Sequence, residues 1–127
     1  MKITITGEIH SSKNSRRVVY NGTRTVVLKS KAAKADEGSM ARQLNDHAML
    51  WSEISRDANY PLLVVFHFIR ATRRRWDFAN MVQGVADAMV KAGYIPDDDV
   101  EHFIPVWGGY SVDKQNAGVE FYLMGEV

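Results

Sequence analysis

The run Leu62-Leu63-Val64-Val65-Phe66-His67-Phe68-Ile69 carries a single polar side chain among β-branched, aromatic and aliphatic ones. Its length suits a strand, and its near-continuous apolarity predicts a central strand with neighbours on both edges. Pro61 closes the segment before it. There, Ala33, Met40, Leu44, Ala48, Trp51 and Ile54 recur near helical spacing, with charges between them. That pattern predicts a helix over roughly 32–57, with Gly38 and Ser39 as the candidate interruption. After the strand, Ala71 to Trp76 reads as a basic loop. Phe78 to about Ala92 reads as a second helix, closed by Gly93 past its end with Pro96 beyond.

Further out, residues 2–9 alternate as a half-buried strand, and His10 to Asn14 is a polar loop. Val18–Tyr20 and Thr23–Leu28 flank Asn21-Gly22, a strong hairpin signal. Val100–Val106 reads as a strand that Pro105 places at its end or on an edge. Trp107 to Asn116 reads as a turn-rich connection, and Ala117–Met124 as a closing strand. The expectation is one α+β domain over residues 1–127. It has a mixed β-sheet, a β-hairpin near the N-terminus and two principal helices packed on the sheet.

The chain has 127 residues, of which 46% are hydrophobic and 24% charged, an ordinary globular composition. It has no cysteine, which excludes disulfides, thiolate metal sites and a cysteine nucleophile. A reducing, cytoplasmic setting is expected. No apolar stretch approaches the roughly 18 residues that a membrane span needs, and the alternating Met1–Thr6 does not resemble a signal peptide. The net charge is only +1, but it is unevenly spread. Residues 1–34 carry +7, Arg73-Arg74-Arg75 adds +3, and residues 76–127 carry −7. A basic half followed by an acidic half implies a polyanion partner for the first and a cation for the second.

The acidic half holds the groups that could do chemistry. Asp77 stands just before the second helix, where an aspartate either caps the helix or faces a ligand. Asn80, Gln83 and Asp87 share one face of that helix, either as its solvated stripe or as part of a site. Asp97, Asp98 and Asp99 are three adjacent carboxylates, which repel unless a cation lies among them. Magnesium takes a few carboxylates plus waters, and a bound divalent ion can activate water at a phosphodiester. The bland alternative is a solvated turn.

Arg73-Arg74-Arg75-x-Asp77-x-x-Asn80, the helix end Asp87-Ala88-x-x-Lys91-Ala92-Gly93-Tyr94, and then Asp97-Asp98 resemble the RusA-type Holliday-junction resolvases of phages and bacteria. The likeness covers about residues 70–104. It is looser at Ser11–Arg16, which resembles the family's polar loop after the first strand. The resemblance implies a homodimeric, magnesium-dependent endonuclease, with manganese as the alternative ion, that resolves four-way DNA junctions by paired nicks in recombination and repair. It implies no organic cofactor and no membrane. Asp77 and Asp98 match the essential aspartates, and Asn80 matches the motif asparagine. Asp97 and Asp87 are further candidate ligands. Two positions depart: the family's second aspartate falls at Ala79 and its helix lysine at Gln83. An active divergent branch is expected, with a weakly active or inactive junction binder as the alternative.

About 14 residues of helix between Asp77 and Asp98 span roughly 20 Å. The chain must double back, the helix must be short, or a partner subunit must contribute, for both to serve one ion. The candidate DNA contacts are Lys13, Asn14, Arg16, Arg17, Lys31, Arg73, Arg74 and Arg75, with Tyr20 near the hairpin tip as a stacking residue. His10, His47, His67 and His102 lack ligand spacing; His67 reads as a satisfied strand residue and His102 as a candidate proton shuttle. Trp51, Trp76 and Trp107 read as packing anchors.

Overall fold

A computed structural model of the chain describes residues 1–10, 16–21, 24–29 and 31–125, with side chains for residues 1–10 and 37–125. The elements are β1 (Ile3–Thr6), β2 (Arg16–Asn21), β3 (Arg24–Lys29), α1 (Lys31–Asp46), α2 (Ala48–Ser55), β4 (Leu62–Arg70), α3 (Phe78–Lys91), β5 (Phe103–Val112) and β6 (Gly118–Leu123). This is an α+β architecture. One sheet has the order β1-β6-β4-β5, and β2 and β3 form a separate two-stranded sheet. No helix among the described residues is long and apolar enough to cross a membrane.

The apolar run of β4 is interior to its sheet, as its composition predicts. It pairs antiparallel with β6 on one side and parallel with β5 on the other. The parallel partner is reached through α3, the kind of crossover that a parallel pair requires. Leu62, Val64, Phe66 and Phe68 point into the core at 4% exposure or less, and Ile3, Ile5, Val119, Phe121 and Leu123 join them from the neighbouring strands. The helices supply Met40, Leu44, Trp51, Ile54, Met81, Val82, Val85 and Met89. The opposite sheet face is partly open, with Leu63 and Tyr122 exposed.

Three expectations needed correction. The first helix is split at His47 and runs unbroken through Gly38. At His47 the backbone turns to φ −102, ψ 10, and its N–H is shared between Gln43 O (3.1 Å) and Leu44 O (3.2 Å). The segment from Trp107 to Val112 is strand, continuing β5. Its glycine pair accommodates a bulge: a Cβ on Gly108 would lie 2.7 Å from Phe66 O, and Gly109 has φ +86. Position 109 therefore favours a residue without a Cβ. Pro105 is tolerated because β5 is an edge strand. Finally, the hairpin register pairs Asn21 with Arg24, leaving residues 22 and 23 between the strands, one position later than expected.

β1, the other edge, is met by Gln43. Its side-chain amide accepts from Thr6 N–H and donates to Thr6 O, each at 2.8 Å, as a neighbouring strand would. Two further bonds join the helical layer. Trp51 Nε1 donates to Tyr94 O at 2.9 Å, and the Tyr94 hydroxyl donates to Leu44 O at 2.6 Å. The two rings stack with centroids 5.2 Å apart.

Burial pushes the Tyr94 phenol up from 10.0 to about 12. The unfolded chain releases this proton first, so the tyrosine's contribution to stability is intact below pH 10 and is lost as pH rises towards 12. Alkaline titration of tyrosinate absorbance is expected to show a group that ionises only towards about pH 12. In Tyr94→Phe that late-titrating group disappears. A Gly118→Ala change would drive a methyl group into the Ile5 carbonyl across the β1–β6 pair. It is expected to lower unfolding free energy by at least about 2 kcal/mol in urea titration.

Candidate functional site

The backbone of Asp77 is extended, at φ −116 and ψ 112, and its Oδ1 accepts from Asn80 N–H at 3.3 Å. A carboxylate here satisfies a donor that the helix leaves open and meets the positive end of the helix dipole. Capping is thus a role that Asp77 fills in this structure. The cap hydrogen bond uses one carboxylate oxygen, and the side chain is exposed.

Further along α3, Gln83 and Asp87 are exposed and four residues apart. Gln83 Nε2 donates to Asp87 Oδ1 at 2.9 Å and to Asp98 Oδ2 at 2.8 Å. An amide nitrogen carries two hydrogens, and both are used. Asp98, half-buried, therefore stands beside the middle of α3 although it lies 15 residues beyond Gln83 in the chain. The chain thus doubles back within one subunit and brings Asp98 to Gln83, six positions past Asp77.

The reversal has a local cause. Gly93 N–H bonds Val90 O at 3.1 Å and Tyr94 N–H bonds Met89 O at 2.9 Å, the paired closure of a Schellman motif. Gly93 takes φ +80, which a residue without a Cβ adopts freely. Tyr94 and Ile95 then bury at 5% and 2% exposure, anchoring the returning chain before it reaches the aspartates.

The other two acids of the triplet serve their own turn. Asp97 Oδ1 accepts from Asp98 N–H at 2.8 Å. Asp99 Oδ1 is 2.5 Å from His102 Nδ1, and its carbonyl accepts from His102 and Phe103 N–H. His102 is also edge-on to Tyr60, with centroids 5.3 Å apart. The candidate proton shuttle is thus engaged in closing this turn. Asn80 is half-buried in the first turn of α3. Asp87 and Asp98 are brought together, while Asp77 and Asp97 make local backbone bonds. Among the described residues, no three acidic or histidine side chains gather closely enough to hold a metal ion.

His67 is satisfied, as its position in an apolar strand suggested. Nδ1 lies 3.1 Å from Gly108 O and Nε2 lies 3.1 Å from Ser111 Oγ. A carbonyl only accepts, so Nδ1 donates, and in the neutral ring Nε2 accepts from the serine hydroxyl. These bonds pin the bulge of β5 to β4.

Arg73, Arg74 and Arg75 are exposed in the segment leading into Asp77. Lys13 and Asn14 lie outside the described residues, as do the side chains of Arg16, Arg17, Tyr20 and Lys31. Trp107, expected as a packing anchor, is instead half exposed, and Tyr110 beside it was not singled out in the sequence. Trp107 and Tyr110 on β5 are 53% and 49% exposed, and they pack with Trp76 and Phe78 around the start of α3. Their only sequence signal is the aromatic spacing around Gly108-Gly109. Trp51 is the buried packing anchor that was expected. No known family model matches this chain, and no curated protein does.

Asp77→Ala is expected to lower stability by about 1 kcal/mol through loss of the cap. Asp77→Asn is expected to hold it nearly constant, because asparagine caps as well. Chemical denaturation of the two variants measures both.

Proposed function

We propose that this chain is a magnesium-dependent endodeoxyribonuclease that cuts four-way DNA junctions by paired nicks, acting as a homodimer. The observation that carries the reading is the Gln83 bridge: it holds Asp98 against α3 beside Asp87, on the helix that Asp77 begins and the arginine run precedes. Two carboxylates drawn to one small donor form an oxygen-only set that suits a hard cation. Magnesium is commonly held by one or two carboxylates, with waters and substrate phosphates completing its shell. Asp98 and Asp87 would hold it, with Asp77 at the start of the same helix and Asn80 and Asp97 as the neighbouring oxygen donors. When bound, the ion would supply an activated water and charge neutralisation at the phosphodiester.

The chain's own residues have separate tasks. Arg73, Arg74 and Arg75 would grip backbone phosphates and orient the strand, with Lys13, Asn14, Arg16, Arg17 and Lys31 as further contacts. Gln83 orients Asp98 and Asp87. The two departures from the resolvase pattern offset each other electrostatically. Ala79 removes one negative charge and Gln83 removes one positive charge, so the net charge of the matched positions is unchanged.

A second reading has its own support. The Gln83 amide satisfies Asp87 and Asp98 without any ion, and Ala79 leaves one ligand fewer. That arrangement suits a protein that binds junctions without cutting them.

Purified protein incubated with a labelled four-way junction in magnesium is expected to produce symmetric nicks that EDTA abolishes. Asp98→Asn is expected to reduce cleavage by at least about 100-fold while junction binding persists. A shifted, uncut junction in magnesium would leave only the binding reading, and no shift at all would overturn both.

A further inference from the structure

We infer that Trp107 and Tyr110 form a platform on which unpaired DNA bases stack. The inference rests on the DNA reading above and specifies the feature of the substrate that is recognised: bases exposed at a branch or in a single strand. Large aromatic rings are ordinarily covered in a folded domain, yet Trp107 is 53% exposed and Tyr110 49%. Neither ring is loose. Trp107 packs edge-to-face on Phe78 at 5.0 Å between centroids and lies 6.0 Å from Trp76; Tyr110 is edge-on to Trp76 at 5.4 Å. The β5 backbone beneath them is pinned by His67 bonds to Gly108 O and Ser111 Oγ. Rigid, exposed π-faces lose little entropy on stacking, and every base presents one.

The charge around the platform selects the occupant. Arg75 directly precedes Trp76, so the exposed Arg73–Arg75 run enters the aromatic cluster. Arg70 is buried at 9% exposure, with its guanidinium 5.2 Å from the Trp76 ring centroid. Its Nε has no hydrogen-bond partner among the described residues, and Nη1 donates to Ile9 O at 3.4 Å. The exposed Arg73–Arg75 cations leading into the rings match the alternation of phosphate and base in a single strand, while buried Arg70 holds the Trp76 ring. A second copy of the chain would instead bring two arginine runs to one interface, where like charges oppose association.

Tryptophan emission of the full chain, titrated in EDTA with an oligothymidylate of about 15 nucleotides and with a duplex of equal length, tests the platform. The single strand is expected to quench emission and bind more tightly than the duplex. Trp107→Leu, which keeps an apolar side chain over Phe78, is expected to weaken single-strand binding about tenfold, while Trp107→Tyr restores much of it. Circular dichroism confirms that each variant is folded, and Tyr110→Leu repeats the measurement should Trp107→Leu not fold. Equal single-strand affinity in the folded leucine variant overturns the platform, even if junctions are still bound and cut. Sedimentation showing that Trp107→Leu dissociates a dimer without changing oligonucleotide affinity also overturns it, because the face then joins copies of the chain. Trp107-dependent oligonucleotide binding without magnesium-dependent cleavage upholds the platform and removes the nuclease reading.

Discussion

The reciprocal lock between Trp51 and Tyr94 is the interaction on which the arrangement of the acidic groups depends. The indole N–H of Trp51 is bonded to the Tyr94 carbonyl, and the Tyr94 hydroxyl to the Leu44 carbonyl. Leu44 is in the last turn of α1, where its carbonyl has only the shared His47 N–H, at 3.2 Å, as a backbone donor. The phenol therefore supplies a donor where α1 breaks, and the indole meets a carbonyl where the chain turns after α3. Both bonds are buried, so loss of either partner would strand a polar group in a low-dielectric interior. The lock joins α1 and α2 to the reversal that follows α3, and that reversal sends Asp97–Asp99 back along the helix.

Given that return path, Gln83 decides what the aspartates become. A bare pair of carboxylates on facing segments would repel, and the turn would open towards solvent. A neutral amide with two hydrogens lets Asp87 and Asp98 approach without cancelling their charge. A lysine in the same place would neutralise one of them. The region consequently keeps a negative potential that a divalent cation can meet, whereas the arginines upstream of Asp77 carry the opposite sign. The +3 of Arg73–Arg75 thus leads directly into Asp77 at the start of α3, with Asp87 and Asp98 further along the same helix.

Much of this was legible in the sequence, for reasons that can be named. β4 showed itself because an unbroken β-branched and aromatic run has few alternatives to a central strand, and α3 because Gly93 and Pro96 mark its end. Helix length left a reversal of the chain, a shorter helix or a partner subunit open, and the chain takes the reversal. The break at His47 was not legible, because it arises from a shared N–H and a distant tyrosine hydroxyl and not from a local helix breaker. Gly38 drew attention instead, yet one glycine inside a well-packed helix costs only about 1 kcal/mol and is tolerated. The extension of β5 was hidden for a related reason: Gly108-Gly109 signals a turn locally, whereas pairing with β4 turns it into a bulge. Capping and ligation call for the same residue type at position 77, so the sequence left both roles open there.

The bulge also explains why the exposed aromatics stand where they do. In a regular strand, Trp107 and Tyr110 would point to opposite faces, because they are three positions apart. The extra residue at the register shift between Phe66 and Phe68 returns them to one side, and their rings come within 6.2 Å. A strand without that glycine pair would place one ring on each face and leave no shared surface. The same irregularity lies on an edge strand, where an unbulged ladder would invite pairing with another sheet. Gly108 and Gly109 therefore discourage edge-to-edge association and gather two aromatic rings beside the arginine-led start of α3. Retaining the pair serves both ends, and filling either position with a larger residue works against both.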